Sequence, residues 1–163
     1  MDTLKLYVEN LETGNKKNGS IWGIIYFRFN GFSFPDNVWF DAVSSILCMW
    51  SDVLYDFILT KQSQCVLSFM DGDYEVLITK TNTKSVIARC VKNDYTVAER
   101  SISLISLIQN IHAGMISVKK HHINSKSTIK RLKVYCRILS KIKKLERLIE
   151  MGDSLTIKSQ NPN

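Results

Sequence analysis

Apolar residues alternate with polar ones through Leu4, Leu6 and Val8, which predicts a strand with one buried face. A polar Gly/Asn/Lys loop follows. The next stretch, SIWGIIYFRF, is apolar on both faces and predicts a central strand, pairing with the first as a hairpin. From Phe32 to Lys61 the period changes. Trp39, Val43, Ile46, Trp50, Val53, Leu54 and Phe57 fall at helical spacing, with Asp41, Asp52 and Asp56 on the opposite face. This predicts one long helix, with Ser33 or Asp36 as its cap and Pro35 in the first turn.

Period-two patterning returns in CVLSFM, DYEVLITKT and SVIARCVKN, a predicted meander of antiparallel strands. Asp71-Gly72 reads as a two-residue type I′ turn between the first pair. A second long helix is expected from Tyr95 to His122, opened by a Thr96-x-x-Glu99 capping box. A third is expected from Ser127 to Met151, with Leu132, Tyr135, Leu139, Ile142 and Ile149 at heptad-like spacing and Gly152 as its stop. The element order is ββ-α-βββ-α-α. It implies an α+β fold in which an antiparallel sheet of about five strands is packed by three helices. Residues 1–152 read as one domain, and 153–163 as a flexible tail.

The acidic stretch SFMDGDYEVLIT raises the question of a catalytic or metal site. Asp73 and Glu75 share a face in a hairpin, and the flanks are strand-like rather than a cation-binding loop, so a turn is the expected role. No H-E-x-x-H, no G-x-S-x-G and no Gly-rich phosphate loop is present. His112, His121 and His122 read as helix-face and helix-end residues. Cys48, Cys65, Cys90 and Cys136 form no C-x-x-C pair and read as buried thiols. The expectation is therefore a protein that is not an enzyme and needs no metal or cofactor.

Charge sharpens the picture. The net charge is +7, yet Gly114 to Glu150 carries eleven Lys or Arg against two Glu, so the remaining residues sum to −2. Lys130, Arg137, Lys141 and Lys144 belong to this basic segment, and the acidic helix face and the Asp73/Glu75 face oppose it in sign. Each is a candidate contact for a partner of complementary charge. Nucleic acid is the alternative partner for the basic helix, although Tyr135 alone offers a ring for stacking. The opening MDTLKLYVEN has no basic segment ahead of an apolar run, and charges break every apolar stretch before the roughly 18 residues of a membrane span. A cytoplasmic location is the expectation.

FPDNVWFDAVSSILCMWSDVL followed by LSFMDGDYEVLIT resembles small bacterial immunity proteins, the antitoxins of contact-dependent growth inhibition and related polymorphic toxin systems. The resemblance spans roughly Phe34 to Ile111, and its most specific pieces are the Trp39/Trp50 segment and the Phe69-Met70-Asp71-Gly72 turn. It implies a cytoplasmic protein that binds one cognate toxin and blocks it without catalysis. Many such proteins directed at nucleases are acidic, whereas this chain is basic. The resemblance thus implies contact through the local acidic faces, or a toxin that is acidic where it docks.

Overall fold

In the computed structural model, the strand with two apolar faces, Ile21–Phe29, is the centre of a first antiparallel sheet. The structure describes residues 1–14, 20–60, 62–124, 137 and 139–151. Strand β1 (Leu4–Thr13) pairs with the central strand β2 (Ile21–Phe29) from Leu4↔Phe29 to Thr13↔Ile21, with a bulge between Glu9 and Glu12. On the other side of β2 lie β3 (Phe32–Phe34) and the two-residue β4 (Phe40–Asp41). Helix α1 (Val43–Leu59) follows. A second sheet is a meander of β5 (Gln64–Ser68), β6 (Tyr74–Lys80), β7 (Ser85–Lys92) and β8 (Tyr95–Ser103). Helix α2 (Leu104–Asn124) and α3 (residues 139–151) complete the described residues.

The fold is α+β, and among the described residues it has three helices, as the pattern predicts. Among the described residues the strands number eight and form two sheets of four, where the pattern predicts one sheet of about five. Two segments account for the difference. Phe32–Asp41 is not the first part of a helix. Asn30 (φ 46°) and Gly31 (φ 90°) both adopt positive φ, the requirement of a type I′ turn, and this turn folds Phe32–Phe34 back onto β2. Ser33 therefore lies in a strand, and Asp36 accepts the Val38 N–H in a local turn rather than capping a helix. Helix α1 starts only at Val43 and has no side-chain cap.

Tyr95–Ser103 is the second departure: it is a strand, not the opening of a helix. Asn93 (φ 48°) and Asp94 (φ 66°) supply another tight turn, and β7 then offers a complete hydrogen-bonding edge that outweighs the Thr96/Glu99 box. Ser103 takes over as the cap of α2, its Oγ accepting the Ser106 N–H at 3.3 Å. Asp71-Gly72 is also not a two-residue turn. Only Gly72 has positive φ (71°), and the Phe69 N–H reaches the Tyr74 carbonyl at 3.0 Å around a four-residue loop.

Trp50 joins the two sheets. Its ring stacks on Phe27 of β2 at 5.0 Å and meets Phe69, just past β5, edge-on at 5.1 Å. Its indole N–H donates to the Ser68 carbonyl at 2.8 Å. Helix α2 covers β1, where Asn110 acts as a strand substitute: Oδ1 accepts the Leu6 N–H at 2.8 Å and Nδ2 donates to the Leu4 carbonyl at 3.3 Å. Asp2 ties the sheets at their edges, donating its N–H to the Ser101 carbonyl at 2.8 Å. Helix α3 buries Ile142, one of the heptad positions, with Leu145 and Leu148, and Ile149 packs partly buried against the same core. Leu132, Tyr135, Lys130, Cys136 and the expected tail lie outside the described residues.

Replacing Trp50 with Phe keeps a ring in the core but removes the indole donor and leaves the Ser68 carbonyl without it. A loss of about 2 kcal/mol is expected, read as a lower urea midpoint at unchanged slope.

Candidate functional site: an acidic tip held by a buried aspartate

Asp41 ends β4 and is only 1% exposed. It is therefore not a surface contact, as its place on a helix face would have made it. Its Oδ1 accepts the Ala42 N–H at 2.6 Å. Its Oδ2 accepts the Trp39 indole at 3.2 Å and the backbone N–H groups of Met70 and Asp71 at 3.0 and 3.2 Å. A buried carboxylate is tolerated when donors surround it in this way. The Trp39 ring leans on Tyr74 at 4.6 Å, and a Cβ added to Gly72 would lie 3.3 Å from it and 3.0 Å from the Tyr74 ring. Together Trp39 and Asp41 fix the loop between β5 and β6 from beneath.

The upper side of that loop faces solvent. Asp71, Asp73 and Glu75 are exposed, and Met70 is 59% exposed. Asn93 donates its N–H to the Asp73 carbonyl at 3.0 Å, which brings the β7–β8 turn alongside. Asp94 joins the carboxylates, and Tyr95, 77% exposed, stands beside it. The two turns enclose a shallow depression of about 390 Å³ lined by Asp73, Glu75 and Asp94. Glu75 also accepts the Ser68 hydroxyl at 3.1 Å. Lys92 rests on the Tyr74 ring, 5.3 Å from its centroid. The tip thus joins four carboxylates to two exposed apolar side chains. Among the described residues, no group of three His, Cys, Asp or Glu side chains is arranged to hold a metal ion. Asp94 and Tyr95 are missed by the sequence reading. Their signal is the Asn93-Asp94 pair, a tight-turn dipeptide obscured by the helix expected from Tyr95 onward.

The remaining candidates separate. Asp52 does not face solvent alone: both Lys141 and Lys144 of α3 bond to its Oδ1, Lys144 at 3.0 Å. The basic and acidic helix faces thus meet at Asp52, and Lys144 also covers the Tyr55 ring at 4.8 Å. Burial works to raise the Asp52 carboxyl, but the hydrogen bonds and charges of Lys141 and Lys144 outweigh it and hold it below the ordinary carboxylate value. Asp56 and Arg137 are exposed.

The histidines are dispersed. His112 Nε2 lies 3.6 Å from Glu146 Oε1, and His121 Nε2 lies 3.4 Å from the Thr13 hydroxyl. Cys48, Cys65 and Cys90 are buried free thiols, and burial pushes the last two up to about 12, which disfavours their thiolates. Among the described residues, no helix is long and apolar enough to cross a membrane. Compared with known proteins, the chain matches no family model, no curated protein and no solved structure.

Asp41→Asn turns an amide donor toward a site filled with donors. It is expected to cost about 2–3 kcal/mol and to speed hydrogen exchange at the Met70 and Asp71 amides before other β-sheet amides. Asp52→Asn is expected to cost about 1 kcal/mol at pH 7, a modest figure because this carboxylate is 38% exposed and screened by water. The folded value of Asp52 is depressed, so its contribution is present above the ordinary carboxyl pKa of about 4 and is lost as pH falls through the lowered one. Paired urea melts should therefore converge in acid; a gap that persists there would locate the effect elsewhere.

Proposed function

We propose that this protein acts by binding, as an immunity protein that neutralises a cognate bacterial toxin in the cytoplasm, and that the acidic tip is its contact surface. One observation carries the reading: the two segments behind the family resemblance meet at Asp41. The Trp39–Asp41 segment supplies the buried support, and Phe69–Gly72 supplies the exposed loop that it holds. A loop fixed before its partner arrives loses less conformational entropy on docking. Four carboxylates speed encounter with a basic surface, and Met70 and Tyr95 are suited to anchor the complex once formed. This also accommodates a basic chain in a role often filled by acidic ones, because the positive charge is concentrated in the C-terminal segment and partly matched by Asp52. The nucleic-acid reading has less support, since Lys141 and Lys144 are engaged within the chain.

Co-expression with the toxin domain encoded beside this gene is expected to restore growth; continued killing at full expression would remove the immunity reading. Changing Asp73, Glu75 and Asp94 to Lys is expected to slow toxin association by about tenfold or more while the circular dichroism spectrum and melting temperature are retained. Unchanged association kinetics would exclude the tip as the contact.

A further inference from the structure

Three helix ends meet at one corner of the molecule and leave a cavity of about 270 Å³ between them. Ile58 comes from the last turn of α1, Leu104, Ile105 and Ile108 from the first turns of α2, and Leu148 and Met151 from the end of α3. Ile108 and Leu148 are buried, and Ile58, Leu104 and Ile105 are half-buried. Met151 and Met1 are exposed and mark the mouth. The polar part of the lining is gathered on one side, where Thr83 and Lys84 of the β6–β7 turn meet Ser103 at the start of α2. That side is fixed in place. The Leu104 N–H donates to the Lys84 carbonyl at 3.0 Å, and Asn82 Oδ1 accepts the Lys84 and Ser85 N–H groups at 2.8 Å each. The end of α1 is held as well, with Lys80 Nζ donating to the Phe57 carbonyl at 2.6 Å. Apolar walls with a few fixed polar groups are the usual composition of a small-molecule site.

We propose that this cavity binds a free fatty acid of medium length, with the acyl chain in the apolar space and the carboxylate at Lys84. Size, shape and charge select this ligand. A methylene takes about the room of one water, ~30 Å³, so the space holds one chain of about eight to ten carbons. Among the described residues no aromatic side chain lines the cavity, whereas two methionines do. Flexible thioethers adapt to a flexible chain, and a flat aromatic ligand would find no ring to stack on. Lys84 is the charged side chain among the described lining residues, and the start of α2 beside it adds positive potential. Lys84 has an interaction of its own, but an ammonium carries three donors, so a carboxylate is accommodated beside that contact.

The residues that follow Met151 suit the space less well. Of those twelve, Leu155 and Ile157 are the large apolar ones, and most of the others are polar. The cavity shares no residue with the acidic tip, so its ligand does not depend on what the tip binds.

Calorimetric titration of the full chain with a series from hexanoate to tetradecanoate tests the proposal. Affinity is expected to rise about fourfold for each added methylene and to level off beyond about ten carbons, once the space is full. Decylamine carries the same chain on a cationic head and is expected to bind at least about tenfold more weakly than decanoate. Ile105→Trp fills the cavity and is expected to abolish decanoate binding at unchanged circular dichroism and melting temperature. Met151→Trp, at an exposed position, makes the same test should the first variant fail to fold. Absence of binding by the full chain, the result if the residues after Met151 filled the space, overturns the proposal. So does an affinity that keeps rising with chain length, equal binding of decylamine, or decanoate binding that persists in a folded Trp variant. Binding to phosphatidylglycerol vesicles in place of dissolved decanoate would assign the corner to a membrane surface and overturn it too.

Discussion

The two sheets of this protein share no strand, and the side chain of Trp50 is the central contact that makes them one core. It is fully buried, and it does three things at once. It stacks on β2 through Phe27, meets the end of β5 through Phe69, and satisfies the Ser68 carbonyl where the strand stops. A smaller side chain from α1 would fill only one side of this junction, and a ring without a donor would leave a backbone acceptor unpaired. Phe34 of β3 also meets Phe69 and Tyr74 edge-on, and two polar connections lie nearer the surface, Asn110 on the edge of β1 and Asp2 on the edge of β8. They set register, while Trp50 and the surrounding phenylalanines supply the apolar burial that makes the register worth holding.

Asp41 depends on that junction and extends it. The Trp50 contact with Phe69 and Ser68 sets where the loop begins, and the Asp41 carboxylate takes up the next two backbone N–H groups. The acidic tip is thus displayed by a chain of buried contacts running from the core outward. Its exposed side chains are free to serve recognition because the backbone beneath them is already satisfied. The segments on which the proposed function rests are largely this supporting chain: a tryptophan, a buried aspartate, and the loop it holds.

Charge shows how far composition can mislead when faces are considered apart. An acidic helix stripe and a basic helix, read separately, look like two docking surfaces. In the fold they approach each other, and Asp52 accepts both Lys141 and Lys144. The carboxylates of the tip, by contrast, are exposed.

Local patterning by itself determined the fold class, the β1–β2 hairpin, the β5–β7 meander and the buried stripe of α1 from Val43 to Phe57, because each follows from side-chain period within one element. It also showed none of the H-E-x-x-H, G-x-S-x-G or Gly-rich phosphate-loop patterns. Tertiary structure decided the rest. Phe32–Phe34 and Tyr95–Ser103 have residues that suit either period, and a neighbouring strand with free backbone groups made them strands. The tight turns that direct this, Asn30-Gly31 and Asn93-Asp94, are legible in sequence but were overshadowed by longer helical patterns. Asp41 became buried, Asp52 became paired, and Asp94 and Tyr95 came to the tip only through contacts between residues distant in sequence. No period within a segment encodes which surface another segment will cover, since that is set by how the two sheets close over Trp50.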